Sequence, residues 1–187
     1  MADAVILLLR AVNLGKRNKV PMKELMRLLR DDGLGEPSYL LQSGNVVVSR
    51  PAVAPAELKR RAEGLVAEAF GVETVAVLRT ADALARALAA NPFEAPTGGS
   101  VQVSFWDEAV PAERLAALAE ERFPDAQLHL TTREAYMRFE SSTHASRLGN
   151  HLIERRLQVP ATARNVRTLE RLLELEALAG ARGRSAT

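Results

Sequence analysis

The chain has 187 residues, a length that fits one medium domain or two small ones and excludes a large multidomain enzyme. Hydrophobic residues make up 47% and charged residues 26%, as in globular proteins, so the chain can bury a core and is not intrinsically disordered. The net charge of +2 does not favour a general polyanion or membrane partner, and the absence of cysteine excludes disulfides and thiolate chemistry.

The first eighty residues alternate between strand and helix patterns. A continuous aliphatic run at 5–10 predicts a central strand covered on both faces; it is too short for a signal peptide or a membrane span, so we expect a cytoplasmic protein. Two apolar runs around a Ser-Gly-Asn turn at 39–48 predict a β-hairpin. Pro21 and Pro55 each begin a stretch with helical spacing, and 74–79 predicts a further strand. This is the element order of a ferredoxin-like unit.

The second half repeats most of this order. Thr80 is expected to cap a short helix, and 94–100 has the composition of a linker. A strand at 101–105, a helix that begins at Pro111, a hairpin at 128–139 and a helix with Leu148, Leu152, Ile153 and Leu157 on one face follow. The chain then predicts a helix at 168–178 where a final strand would be expected. We therefore predict an α+β fold of two ferredoxin-like subdomains that arose by duplication, with an additional C-terminal helix. The predicted ranges are 1–80 for the first subdomain, 81–99 for a connecting helix and linker, 100–180 for the second subdomain with its C-terminal helix, and 181–187 for a flexible tail.

The net charge hides an uneven distribution. Residues 10–30 include seven bases and one acid, a net charge of +6, and residues 147–171 include six bases and two acids, a net charge of +4. The segment between them, 31–146, has a net charge of −7. Both basic segments lie at predicted helix N-termini, where exposed N–H groups and the helix dipole favour an anion. The alternative is that these cations are solvated and meet nearby acids.

The first candidate site is the loop that follows the first strand. Arg10 and Asn13 stand at the C-terminal end of this strand, and Lys19 lies just before a predicted helix. Arginine and lysine supply positive charge, and asparagine supplies a neutral donor and acceptor, so the loop suits an anionic ligand. An ordinary solvated loop is the alternative.

The second candidate site is the turn of the first hairpin. Gln42, Ser43 and Asn45 supply three hydrogen-bonding side chains around Gly44, where a ligand could approach the backbone closely. A plain turn is equally compatible with this spacing.

The third candidate site precedes the last predicted helix. Arg164 and Asn165 stand before Thr168, which is the expected N-cap of that helix. Arg147 and Asn150 are expected to project from one face of the preceding helix, because they are three residues apart.

Familiar catalytic signatures are missing from the chain. It has no nucleophile elbow, Walker loop, dinucleotide-binding fingerprint or zinc-protease motif, so no catalytic residue is predicted. Two of the three histidines fall on one predicted helix, about 10 Å apart and too distant to share an ion, so no metal site is predicted. No cofactor is predicted.

Several short segments occur in order along the chain: RAVNLG at 10–15, NKVPM at 18–22, QSGNV at 42–46, NPF at 91–93, and PATARN at 160–165 with Thr168. Taken together, these segments resemble an uncharacterised bacterial family, the domain of unknown function 1697. The resemblance extends from about residue 4 to residue 178, and it implies an α+β protein with two ferredoxin-like subdomains but no established activity. The chain has Val166 where family members often have a tryptophan, which removes a stacking surface. It has Arg147 where they often have a lysine, which keeps the charge.

These observations favour a protein that binds a small anionic ligand, such as a nucleotide or a phosphorylated or acidic metabolite, between the two subdomains. This hypothesis predicts that Arg10, Lys19 and Arg164 line one cleft. A nucleic-acid-binding protein is the second hypothesis, disfavoured because aromatic residues make up only 4% of the chain. An enzyme of unidentified reaction type is the third hypothesis. It is disfavoured because no nucleophile and base can be paired in the sequence. A fourth hypothesis is purely structural, with the polar loops connecting the two halves of the chain through internal bonds. The sequence does not predict the oligomeric state.

Overall fold

The computed structural model describes residues 4–141, 143 and 146–184. The chain divides into two compact units, of which the first comprises the chain up to Arg86 together with the segment from Glu170 onward. The second comprises Ala87–Leu169. One division point therefore falls inside the helix α3 (Ala81–Ala89), and the other falls inside the last helix, α6 (Val166–Arg184).

The first unit contains a four-stranded antiparallel sheet with the strand order β2-β3-β1-β4. The hairpin predicted at 39–48 is confirmed, because β2 and β3 pair with Leu40 opposite Asn45. This element order and strand order are those of a ferredoxin-like subdomain. The elements are β1 (Ala4–Leu9), α1 (Met22–Asp31), β2 (Glu36–Leu40), β3 (Asn45–Ser49), α2 (Pro55–Phe70) and β4 (Ala76–Arg79).

Strand β1 forms the centre of the first unit, as its aliphatic run predicts. All six of its residues are buried, so both faces of the strand are covered. Val5, Leu7 and Leu9 belong to one core with apolar side chains of β3, α1 and α2. Their neighbours Ile6 and Leu8, which point to the opposite face, are also inaccessible to solvent. The polar loop that begins at Arg10 therefore directly follows a fully buried strand.

The second unit repeats the architecture of the first. Its four strands are antiparallel in the order β6-β7-β5-β8, which matches the order in the first unit strand for strand. The predicted duplication of a ferredoxin-like topology is therefore confirmed. The elements are β5 (Ser100–Phe105), α4 (Ala112–Ala119), β6 (Ala126–Leu130), β7 (Glu134–Phe139), α5 (Asn150–Leu157) and β8 (Thr162–Asn165).

The end of the second unit corrects the sequence analysis. Strand β8 supplies the final strand that the pattern did not predict, and it pairs with β5 so that Val103 lies opposite Arg164. Helix α6 follows directly and runs to Arg184, beyond the predicted end at 178, so residues 181–184 of the predicted tail are helical. The last three residues of that tail lie outside the described residues. Thr80 caps α3 as predicted, because its Oγ1 accepts a hydrogen bond from Ala83 N at 3.1 Å.

Among the described residues, no helix is both long and apolar enough to cross a membrane.

Two serines on the sheets are buried but differ in their hydrogen bonding. Ser104, on β5, donates from Oγ to Asn150 Oδ1 at 2.5 Å. Ser49, on β3, is buried as well, and its hydroxyl has no hydrogen-bond partner within the described part of the chain. Burying an unpaired hydroxyl costs free energy, whereas a paired one stabilises the fold.

We predict that Ser49→Ala leaves the free energy of unfolding unchanged or raises it by about 1 kcal/mol, because no hydrogen bond is lost. Ser104→Ala is the matched control and should lower it by about 1–3 kcal/mol, since Asn150 Oδ1 loses its donor. Urea unfolding followed by circular dichroism measures both. Equal destabilisation by the two substitutions would contradict the prediction.

Candidate functional site

Asn13 organises the first candidate site through its side-chain amide. Its Nδ2 donates to Val20 O at 2.8 Å, and its Oδ1 accepts from Val20 N at 2.9 Å, so the amide closes the loop 10–20, here called the basic loop. The same Nδ2 donates to Gln42 O at 2.6 Å. Gln42 belongs to the turn of residues 41–44 between β2 and β3, here called the hairpin turn. The structure therefore places the first two candidate clusters side by side.

Further bonds fold the basic loop tightly upon itself. Asn13 N donates to Asn18 O at 2.8 Å, and Asn18 Nδ2 donates to Ala11 O at 2.7 Å. The backbone is left-handed at Ala11, Asn13, Gly15 and Asn18, which is costly for the alanine. Lys19 Nζ donates to Gly15 O at 2.7 Å, so one of the three ammonium donors is used and the side chain is fixed across the loop.

The basic loop presents cations to solvent. Lys16, Arg17 and Lys19 are exposed, and no acidic residue occurs between Arg10 and Lys23. Arg10 is half-buried, and its backbone is fixed near β4 because its N donates to Val75 O at 2.9 Å. Positive charge at this end of the unit therefore sits on a constrained backbone, as an anion site requires.

The four candidate residues of the hairpin region divide into two exposed and two buried ones. Gln42 and Ser43 are exposed and accessible to a ligand. Asn45 is fully buried, and its Nδ2 donates to Leu40 O at 3.0 Å and to Ser43 Oγ at 2.9 Å. Asn45 therefore holds the hairpin turn together.

Gly44 is buried where the hairpin turn packs against the end of β1. Its φ is +76°, and a Cβ atom there would lie 2.6 Å from Val12 Cγ2 and 2.8 Å from Leu9 Cβ. Gly44 O accepts from Leu9 N at 2.8 Å. Of the two interpretations of this glycine, a close approach of a ligand or a plain turn, the structure shows a turn in which the chain closely approaches itself.

The predicted pairing of Arg147 and Asn150 on one helix face is wrong. Helix α5 begins only at Asn150, and Arg147 lies before its N-cap residue, Gly149. The carbonyl of Gly149 accepts the first helical bond, from Leu152 N at 3.0 Å. Arg147 therefore does not share the helical spacing on which the prediction depended.

The side chains of Arg147 and Asn150 have different surroundings. Asn150 Nδ2 donates to Ala161 O at 2.9 Å, and its Oδ1 accepts from Ser104, so the amide joins α5 to the sheet. Arg147 is exposed, contacts Glu121 Oε2 at 3.4 Å and stacks over the Phe123 ring at 5.3 Å from the centroid. Only Arg147 is accessible to a ligand.

Arg164 lies half-buried on β8. Its Nη1 donates to Thr162 Oγ1 at 2.7 Å and to Ala163 O at 2.8 Å. Desolvation lowers the pKa of the Arg164 guanidinium to about 10, so the group keeps its charge at neutral pH. It is a desolvated cation in the second unit. That it shares one cleft with Arg10 and Lys19 stays a prediction.

The expected N-cap of the last helix is also wrong. Thr168 lies inside α6, which begins at Val166. Asn165 Oδ1 accepts from Arg167 N at 3.0 Å, so Asn165 satisfies a donor at the start of this helix in place of Thr168. Asparagine and threonine both cap helices, and Asn165 takes this position because β8 ends there and α6 begins at the next residue.

A groove between α4 and α5 was not predicted. Its volume is about 340 Å³, and Glu121 on its rim accepts from Arg156 Nε. This hydrogen bond is the main cause that lowers the pKa of the Glu121 carboxyl. Glu121 and Arg156 lie far apart in sequence, so no spacing pattern could have paired them. The groove is lined by Glu113, Arg114, Ala117, Leu118, Glu121 and Arg156.

We predict that Gly44→Ala lowers the free energy of unfolding by about 3 kcal/mol, through backbone strain together with overlap with Val12 and Leu9. Gly71→Ala is the matched control, because its φ is +63° but no atom lies within 4 Å of the added methyl group. The control should cost about 1 kcal/mol. Denaturant unfolding measures both, and equal losses would show that the close approach at Gly44 is unimportant.

We predict a pH-dependent contribution from Glu121, whose side chain is 19% exposed. Because its folded pKa is lowered, it stabilises the fold above the ordinary carboxyl pKa, and this stabilisation is lost as the pH falls through the folded value. Glu121→Gln should therefore cost about 1 kcal/mol at pH 7, and the difference from the unmodified protein should shrink below about pH 4.5. Thermal unfolding from pH 7 to pH 3 measures it. Glu120→Gln, at an exposed neighbour, is the control, and the same pH dependence in both variants would refute the assignment.

Comparisons with known proteins agree with this architecture. The solved structure of the conserved bacterial protein SP0830 from Streptococcus pneumoniae is similar, with a TM-score of 0.72 at 20% identity, over 95% of this chain and 99% of that chain. At this identity the similarity shows the fold alone. No curated protein matches the chain. Residues 2–136 match the family described as "Protein of unknown function (DUF1697)". Since this match spans more than half of the 187 residues, the chain belongs to the DUF1697 family.

Proposed function

We propose that the protein binds a small anionic ligand, a nucleotide or a phosphorylated or acidic metabolite, through the basic loop and the hairpin turn. The observation that carries this proposal is the Asn13 amide, which bonds to Val20 within the loop and to Gln42 O in the turn. It joins the loop that carries the exposed cations to the turn that carries the exposed polar side chains of Gln42 and Ser43. Because the backbone of the loop and the turn is already constrained, it loses little conformational entropy when an anion binds.

The charges of the basic loop support a localised ligand. Lys19 is fixed by its bond to Gly15 O and keeps two of its ammonium donors. Lys16 and Arg17 are exposed beside it, and the first acidic residue after Arg10 is Glu24. An anion at this loop therefore meets several positive charges and no nearby carboxylate from the loop itself.

Nucleic acid is the less favoured ligand. Ferredoxin-like proteins that bind RNA use aromatic side chains on an open sheet face. In the first unit, every residue of β1 and β3 is buried, on both faces of these central strands. Neither strand contains an aromatic residue. The anion-binding surface therefore lies at the strand ends and does not include these central strands.

A thermal-shift experiment tests the proposal with inorganic phosphate, ATP and citrate as probes. A probe at about one hundred times its Kd should raise the Tm of the unmodified protein by about 5–10 °C, because it binds only the folded state. Lys19→Ala and Arg10→Ala should reduce this shift. Arg60→Ala is the matched control, since it removes an exposed cation that is paired with Glu57 on α2.

The control variant should keep the full ligand-dependent shift. If no probe raises the Tm, or if Lys19→Ala and Arg60→Ala respond alike, the basic loop is not an anion site. Oligonucleotides in the same assay, at low and high salt, would show whether a longer polyanion binds better than the small probes.

A further inference from the structure

Exposed large hydrophobic side chains are concentrated at the candidate site. Within the described residues, three leucines are exposed: Leu14 at 54%, Leu41 at 48% and Leu178 at 59%. Leu14 belongs to the basic loop and Leu41 to the hairpin turn, so two of the three occur on the two segments that Asn13 joins. Scattered apolar residues on a surface need no explanation, but two exposed leucines on segments that one hydrogen bond joins call for one.

The structure places these two leucines next to one hydrogen bond. Leu14 directly follows Asn13, and Leu41 directly precedes Gln42, whose carbonyl accepts from Asn13 Nδ2 at 2.6 Å. The two leucines therefore flank the point at which the loop and the turn meet. The isolated Leu178 lies on α6 and has no such neighbour in sequence.

The backbone at Leu41 adds a second observation. Leu41 has a φ of +60°, in the left-handed region where a leucine is strained and where glycine or asparagine fits better. The turn requires a left-handed residue at this point, but its geometry does not require a leucine. An exposed leucine in a strained conformation is disfavoured by the folded state, and it is explained if its side chain serves another purpose.

The loop that carries Leu14 is cationic, and the Asn13 amide joins it to the turn that carries Leu41. Lys16, Arg17 and Lys19 are exposed on the same loop as Leu14. No acidic residue occurs in 10–23, and none occurs in 37–56, the stretch that carries Leu41. A ligand that complements this surface has a negative group for the cations and an apolar group for the leucines.

We propose that the ligand of this site is an amphipathic small molecule, in which a phosphate or carboxylate group is attached to a short apolar chain or ring. This inference rests on the proposed function and specifies its ligand class. The anionic group binds at Lys19 and its neighbouring cations, and the apolar group covers Leu14 and Leu41. Two leucines offer a small contact area, so the apolar group is short.

Isothermal titration calorimetry with methyl phosphate and hexyl phosphate tests the inference on the full chain. Hexyl phosphate should bind about tenfold more tightly than methyl phosphate, because its additional methylene groups leave water. Leu14→Ser and Leu41→Asn should each reduce this ratio toward one while the affinity for methyl phosphate is unchanged. Leu178→Ser is the matched control and should keep the ratio. Lys19→Ala should weaken both probes equally.

A thermal-unfolding measurement separates a binding role of Leu41 from a structural one. Because asparagine tolerates the left-handed backbone, Leu41→Asn should leave the Tm unchanged or raise it by about 2–4 °C. A lower Tm together with a lost affinity ratio would make Leu41 a structural residue and would overturn its assignment to the ligand.

The remaining outcomes distinguish this inference from the proposed function. If both phosphates bind with equal affinity, the amphipathic ligand is refuted and the anion site stands. If the ratio survives in both leucine variants, the apolar group binds elsewhere and the inference fails. If neither phosphate binds, the anion site fails and the inference fails with it. Binding to anionic lipid vesicles without binding of hexyl phosphate would overturn the assignment to a soluble ligand.

Discussion

The side-chain amide of Asn13 makes three hydrogen bonds to backbone atoms, and the geometry of the candidate site depends on them. Two of these bonds join it to Val20 and close the basic loop, and the third joins it to Gln42 O in the hairpin turn. The two segments are 29 residues apart along the chain, yet one amide fixes the position of each relative to the other. Side chains of both segments are exposed to solvent on this joined backbone.

Elements with a local sequence pattern could be predicted, whereas an element that depends on a distant partner could not. The aliphatic run of β1, the hairpin between β2 and β3 and the helix α2 between Pro55 and Gly71 each have a local pattern, so the first unit was predicted nearly complete. Strand β8 has no such pattern, because Thr162–Asn165 mixes polar and small residues. Its extended conformation depends on pairing with β5, a partner almost sixty residues away. Local periodicity does not record such a pairing.

The sequence indicates which segments could form a candidate site, but it does not distinguish the roles of their residues. Asn13, Gly44 and Asn45 were identified as ligand-binding residues, but the structure shows that their bonds or their packing serve the backbone of the site. An amide that can bind a ligand can equally bind a carbonyl of its own chain, and sequence spacing does not distinguish the two. The exposed residues Lys19, Gln42 and Ser43 are left as the ones that a ligand can reach. The groove between α4 and α5 could not be predicted at all, because its ion pair joins Glu121 and Arg156, which are far apart in the sequence.

The two units share one strand order but use the end of their first strand differently. In the first unit, Arg10 follows β1 and a loop of twelve residues leads to α1; in the second, Trp106 follows β5 and only six residues precede α4. Trp106 is fully buried, and its Nε1 donates to Thr132 O at 3.2 Å. Equivalent positions of the two units therefore have different roles, since one is followed by an exposed polar loop and the other fills the core. The two halves thus share a topology without sharing the residues at the end of the first strand, and the loop after that strand is the place where they differ most in length.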